Sequence, residues 1–179
     1  MADIDWEALA RRVGALSDTS TKRSYEGQAG AVETRAALAT LLGDDVVRSA
    51  VRHAVSLKPG AALAANVVAE VRGRVAMDEC LRLYRELENE DLRLNAVRIL
   101  YDAGDGAVLP FLNELLRDPS PKLHRVVASV VYKLAMGAEI EAADALAILE
   151  PMATAADDEV RSQAAHLLPA IRELADQAT

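Results

Sequence analysis

Two tyrosines and several polar side chains recur at matching places along the chain and could form a binding surface. Tyr101 and Tyr132 each follow a leucine, Leu92 or Leu123, by nine residues. Nine helical residues turn through about 900°, half a turn beyond two full turns, so both tyrosines point away from those leucines. Tyrosine and arginine are enriched at binding hot spots because they combine apolar area with directed hydrogen bonds. The same strip includes Arg98, Arg125, Ser129, His166, Asn66 and Glu70.

These tyrosines also have a structural interpretation. Each ring could pack on a neighbouring helix and leave only its hydroxyl in water. The two interpretations differ in what removal of the ring would cost. A binding role predicts lost affinity, whereas a packing role predicts lost stability.

The sequence lacks the patterns that would support catalysis or metal binding. His53, His124 and His166 form no HExxH-type pair, and one cysteine cannot build a cysteine-based zinc site. No GxGxxG, GxxxxGK[ST] or GxSxG run occurs. The cysteine, Cys80, lies beside Leu81 with no identifiable activating histidine, which indicates a packed thiol. We therefore expect a protein that is not an enzyme and that holds no cofactor or metal.

Acidic clusters fall where helices are predicted to begin. Carboxylates there can cap free N–H groups and suit the helix dipole. Two arginines, Arg93 and Arg161, follow such clusters and could bind phosphate or form a ladder with an aspartate at the preceding turn. We favour the ladder. The clusters are Asp44-Asp45, Glu90-Asp91 and Asp157-Asp158-Glu159.

The charge balance bears on partners and on compartment. The net charge is -8, and the excess of acid falls in residues 75–179. A net negative charge disfavours nucleic-acid binding. The excess acidic residues form either a solvated surface or a means of steering a basic protein partner. Three features indicate a cytoplasmic protein that is not bound to a membrane. The chain has one cysteine, its first residues lack a signal-peptide pattern, and no apolar run reaches roughly 18 residues.

The apolar residues repeat with helical spacing. Hydrophobic residues make up 51% of the chain but aromatic ones only 3%, so alanine, leucine and valine supply most of the core. Glycine, proline and aspartate interrupt the pattern at short intervals, as at helix ends. The predicted helices are 3–16, 27–42, 44–56, 59–73, 75–88, 90–103, 105–117, 120–135, 139–152 and 157–175.

The second helices of the predicted hairpins align with one another. Leu92, Leu123 and Val160 are equivalent, at steps of 31 and 37 residues. Ile99 and Val130 are then equivalent core positions. Within 90–103 the pattern predicts that one face is buried and the opposite face lines an inner surface. The buried face holds Leu92, Ala96, Ile99 and Ala103, and the opposite face holds Leu94, Arg98 and Tyr101.

The pattern resembles HEAT repeats, including the short bacterial variety related to bilin-lyase HEAT-like repeats. Aspartate in the turn with Val160-Arg161 matches best, Asp91 with Leu92-Arg93 is looser, and His124 departs by replacing the arginine. The resemblance covers about 27–175 and implies an all-α, right-handed α-solenoid of about five antiparallel helical hairpins. We expect a single domain over 1–179, with 1–16 as an N-terminal capping helix and 17–30 as a polar loop or a mobile arm.

The resemblance favours a protein-interaction module, acting as scaffold, adaptor or inhibitor through the concave face of its second helices. We expect a monomer or a subunit of a hetero-complex. An accessory to cofactor attachment, or a small-ligand binder, is the alternative that bilin-lyase-like repeats suggest. A HEAT-type DNA-repair glycosylase fits poorly, because the chain is acidic and its one tryptophan, Trp6, lies in the terminal cap.

Overall fold

A computed structural model describes residues 8, 11–12 and 28–177, and across these residues the chain is helical with no strand. The helices are α1 Gln28–Leu42, α2 Asp44–Val55, α3 Ala61–Val71, α4 Arg74–Glu86, α5 Glu90–Ala103, α6 Leu109–Leu115, α7 Pro121–Met136, α8 Ala142–Met152 and α9 Asp158–Gln177. One 3-10 turn, Gly106–Val108, precedes α6.

Most predicted helix boundaries agree with these within a few residues. The predicted capping helix 3–16 lies outside the described residues except for Ala8, Arg11 and Arg12, which are helical. Of the predicted loop 17–30, only 28–30 is described, and it begins α1. The predicted helix 105–117 is instead a 3-10 turn followed by the short α6. There Asp105 accepts a hydrogen bond from the Ala107 N–H at 2.8 Å, and the Gly106 backbone packs directly on that of Glu139.

Polar side chains mark where the second helices begin. Asn89 accepts a hydrogen bond from the Leu92 N–H at 3.0 Å and so caps α5. Ser120 caps α7 in the same way through Leu123. Asp157 precedes α9 and accepts from the N–H groups of Glu159 and Val160. Each cap satisfies N–H groups that a helix start otherwise leaves unpaired. In the other two acidic clusters the carboxylates lie in the first turn, where they suit the dipole, but they do not form the cap.

The helices pack as consecutive pairs. Contacts join α2 with α3, α4 with α5, α6 with α7, and α8 with α9. The second helices also contact one another in series, α3 with α5, α5 with α7, and α7 with α9, and α1 extends this row through α3. The first helices α2 and α4 are in contact as well. A middle helix such as α5 therefore packs against its own mate and against neighbours on both sides.

Small apolar residues are buried on the second helices. Ala96 and Val97 of α5, Val127 and Ala128 of α7, and Ala164 of α9 are all fully buried. Side chains of this size allow helix axes to approach closely, and burial of their apolar surface stabilises the stack. The core is continuous from α2 to α9 as a result.

The buried face of α5 differs in part from the predicted stripe. Ala96 and Ala103 are buried as predicted, but Leu92 and Ile99 are only partly buried at its edge. Leu94, predicted on the open face, is buried. The reason is that α5 has neighbours on several sides, so its buried arc is wider than one stripe.

Substitution of Val130 and Ile99 tests this packing. Val130 is fully buried, so Val130→Asp places an unpaired charge in the core and should lower the free energy of unfolding by about 3–5 kcal/mol. Ile99→Asp, at the equivalent but partly exposed position, should cost about 1–2 kcal/mol because the carboxylate can reach water. Urea denaturation followed by circular dichroism measures both. Equal losses of unfolding free energy in the two variants would contradict the difference in burial between Val130 and Ile99.

A buried carboxylate ties α2 to α4. The Glu79 side chain is 1% exposed, accepts hydrogen bonds from Arg82 at 2.7 and 2.9 Å, and accepts another from Arg52 at 3.0 Å. The Arg82 hydrogen bonds, followed by the charges of both arginines, outweigh desolvation and hold the pKa of Glu79 below its ordinary value. The carboxylate therefore stays ionised between two helices.

Glu79→Gln should lower the free energy of unfolding by about 1–3 kcal/mol at neutral pH, because it removes charge-assisted hydrogen bonds. Since the folded-state pKa is depressed, this stabilisation is present above the unfolded-state pKa and is lost as pH falls through the folded-state pKa. The difference in the free energy of unfolding between wild type and Glu79→Gln should thus narrow below pH about 4.5. Glu86→Gln is the matched control. Glu86 also pairs with Arg82 but is exposed, so its removal should cost under about 0.5 kcal/mol. A gap that stays constant down to acid pH would contradict this account.

Candidate functional site

A groove of about 630 Å³ crosses three consecutive second helices. It is lined by Asp91, Leu94, Arg98 and Tyr101 of α5, by Lys122, Arg125, Val126, Ser129 and Val130 of α7, and by Gln163 of α9. The four α5 positions follow the spacing i, i+3, i+7 and i+10, which is one stripe of a helix. We call this cavity the inner groove.

The inner groove has an apolar floor and polar walls. Leu94 and Val130 are buried at its base, and Val126 is half-buried beside them. Tyr101 stands at the wall with 38% of its surface exposed. Binding surfaces commonly combine an apolar floor with surrounding polar groups. The floor supplies apolar contact area, and the polar groups orient the bound molecule through hydrogen bonds and charge.

Polar contacts fix the α7–α9 side of the inner groove. The Gln163 side chain donates to the Ser129 hydroxyl at 2.7 Å and to the Arg125 carbonyl at 3.1 Å. The Ser129 hydroxyl donates in turn to that carbonyl at 3.2 Å. The Arg125 guanidinium forms an ion pair with Glu159 of α9. Arg125 and Ser129 therefore hold α9 against α7 as well as lining the groove.

The α5–α7 side is held through Tyr101. The Lys133 ammonium lies 4.4 Å from the centre of the Tyr101 ring and 2.8 Å from the Asp102 carboxylate. A cation over the ring face orients the ring by its quadrupole, while the ion pair fixes the cation. Tyr101 thus presents a fixed, partly exposed aromatic surface at the groove wall.

Two cations of the inner groove have no partner in the described part of the chain. Arg98 and Lys122 are exposed, and neither forms an ion pair or a hydrogen bond through its side chain with a described residue. By contrast, the nearby cations Arg125 and Lys133 are both paired.

The structure brings half of the predicted site residues together. Arg98, Tyr101, Arg125 and Ser129 line the inner groove. Tyr132, at the position equivalent to Tyr101, is half-buried against the core and does not line the groove. His166 is exposed on α9, and Asn66 and Glu70 are exposed on α3; all three lie outside the groove lining.

The sequence reasoning missed several residues of the lining. Asp91, Lys122 and Gln163 share the helical stripes of the predicted residues, and Asp91 and Lys122 are repeat equivalents 31 residues apart. Extension of each stripe by one turn toward the helix start would have found the first two. Gln163 is only recognisable once the contact of α9 with α7 is known.

The arginines at the turns form structural contacts. Arg93 lies 4.5 Å from the centre of the Tyr84 ring, donates to the Tyr84 carbonyl at 3.1 Å and pairs with Asp118 at 3.6 Å. Arg93 therefore pairs with an aspartate of the following hairpin and not, as predicted, with one at the preceding turn. Arg161 pairs with Asp158 within its own hairpin. Burial, followed by the influence of Asp118, raises the pKa of the Tyr84 hydroxyl, which donates to Asp118 at 3.2 Å.

His124 takes the repeat position that Arg161 holds before α9, and it makes an equivalent hydrogen bond. Its Nε2 lies 2.7 Å from the Asp118 carbonyl oxygen, in the turn before α7. Arg161 donates to the Ala155 carbonyl in the corresponding turn before α9. In both repeats this position thus satisfies a carbonyl near the end of the first helix.

Other groups with potential chemistry have structural surroundings. Cys80 is fully buried, and burial raises the pKa of its thiol to about 12, so the thiolate is scarce at neutral pH. Among residues 34–177 no three His, Cys, Asp or Glu side chains gather as a metal site. Within the described segments, no helix is both long enough and apolar enough to cross a membrane.

Comparison with protein-family models places this fold in a family. A model described as HEAT repeats matches residues 77–169, from α4 into α9, and this span includes every residue of the inner groove. The match covers more than half of the chain, which therefore belongs to the HEAT-repeat family. No curated protein and no solved structure matches the chain.

Proposed function

We propose that this protein is a non-enzymatic binding module, a right-handed α-solenoid that holds a protein partner in the inner groove. The observation that carries the proposal is the groove itself: an apolar floor, an oriented tyrosine and two cations without a partner among the described residues, all within the HEAT-repeat match. HEAT repeats generally mediate protein–protein interaction. The serial contacts of the second helices support the solenoid arrangement.

Tyr101 is a candidate for a central residue of an interface with a protein partner. A stable interface needs about 800 Å² from each side, and a few central residues supply most of its free energy. Tyr101 is well suited to be such a residue, because the Lys133 contact already restricts its ring and little rotamer entropy remains to be lost. Scaffold, adaptor and inhibitor roles in the cytoplasm, as a monomer or in a hetero-complex, all fall within this proposal.

A small-ligand or cofactor-accessory role is the second candidate. The volume of about 630 Å³ lies within the range of small-molecule sites. Such sites are mostly apolar, whereas most residues of this groove's lining are polar or charged. We therefore rank a protein partner first. Absorbance spectra of protein purified from its own host would reveal a bound chromophore and reverse this order.

Tyr101 and Tyr132 provide a matched pair of variants. Tyr101→Ala should weaken partner binding by about 2 kcal/mol, roughly thirtyfold. It should lower stability by no more than about 1 kcal/mol, because only the contact of the ring with Lys133 is lost and the Lys133–Asp102 ion pair remains. Tyr132→Ala should instead lower stability, because that ring packs on the core. Binding is measured by titration against the protein that co-purifies from the native host, and stability by thermal unfolding.

A variant on the opposite helices completes the design. Asn113 is exposed on α6, a first helix, and Asn113→Ala should leave both affinity and stability unchanged. The proposal fails if Tyr101→Ala binds like wild type, or if Asn113→Ala weakens binding as much as Tyr101→Ala does. A large loss of stability in Tyr101→Ala with affinity retained would make that ring structural too.

A further inference from the structure

The charge pattern inside the inner groove differs from that of the chain as a whole. Although the net charge is -8, two cations of the groove, Arg98 and Lys122, lack an anionic partner among the described residues. The cations next to them have partners, Arg125 with Glu159 and Lys133 with Asp102. The groove therefore carries two positive charges that have no ion-pair partner among the described residues, although the protein is acidic overall.

One acid limits where an anion could be accommodated. Asp91 also lines the groove and lies seven residues before Arg98 on α5, a separation of about 10.5 Å along the helix. A carboxylate placed beside Arg98 gains a favourable contact away from Asp91, whereas one placed beside Asp91 is repelled. The groove therefore distinguishes a short acidic element from a long acidic tract.

We propose that the inner groove recognises a protein segment in which one or two acidic residues adjoin an apolar side chain. One carboxylate pairs with Arg98, a second acidic residue, where present, pairs with Lys122, and the apolar side chain lies on Val126 and the Tyr101 ring. Arginine can bind a carboxylate through two parallel hydrogen bonds, which fixes the register of the segment. This inference rests on the proposed function and specifies the partner's chemistry at the point of contact.

The overall acidity acts on a different length scale. Exposed charges farther apart than about 8–10 Å are largely screened at physiological salt. The acidic surface therefore influences the approach of a partner and favours one that is basic overall, while Arg98 and Lys122 act at contact. A partner that is basic overall but inserts an acidic–apolar segment satisfies both.

A phage-displayed library of short random peptides tests the inference. It is selected on the wild-type chain and on the double variant Arg98→Glu with Lys122→Glu. The matched control is Lys58→Glu with Arg117→Glu, which changes the net charge equally at exposed residues outside the groove lining. Melting temperatures of all three proteins show that each variant is folded.

Peptides enriched on wild type should carry aspartate or glutamate next to an apolar residue. A selected peptide should bind the groove variant at least about tenfold more weakly and the control within about threefold of wild type. Asp91→Asn should strengthen its binding, by about two- to threefold, because it removes a repulsion at the groove's end.

The other outcomes separate this inference from the proposed function. Enrichment of lysine- or arginine-rich peptides that lose binding in Tyr101→Ala would overturn the inference and leave the groove as the binding surface. Enriched peptides that bind wild type and the groove variant equally would overturn the inference. If Tyr101→Ala does not weaken their binding either, they would overturn the proposed function as well. A selection in which wild type enriches no peptide over the groove variant would also overturn the inference.

Discussion

The close approach of successive second helices is the constraint on which this structure depends. A single helical pair cannot bury its own apolar stripe, so each pair needs its neighbours. Fully buried alanines and valines, Ala96 and Val97 on α5 and Val127 and Ala128 on α7, allow that approach. A larger side chain at any of these fully buried positions would overpack the core and destabilise the stack.

The inner groove lies across these contacting second helices. The helices α5, α7 and α9 contact one another in series, and side chains from all three line a cavity with an apolar base. Several of them also connect the helices: Gln163 joins α9 to α7, and Lys133 joins α7 to α5 through Asp102 and Tyr101. The same contacts that stabilise the stack therefore fix the shape of the groove.

The fold was largely predictable from the sequence, and the site only in part. Helical spacing, capping residues and the 31-residue step from Leu92 to Leu123 indicate the helices and their order. The pattern cannot indicate how wide an arc a helix buries once it has several neighbours, which is why Leu94 is buried and Ile99 is not fully so. Exact repeat equivalence also has a limit: Tyr101 has a lysine over its ring, whereas Tyr132 packs on the core.

Site-specific photo-crosslinking tests the central claim most directly, namely that the inner groove is the surface that meets a partner. A photoreactive residue is placed at Ser129 in the groove or at Asn113 on the first helices, and each protein is irradiated in lysate of its native host. The account predicts that one protein is captured from position 129 and not from position 113, and that Tyr101→Ala reduces this product. Capture from position 113 alone, or crosslinking at 129 that is unaffected by Tyr101→Ala, would contradict it.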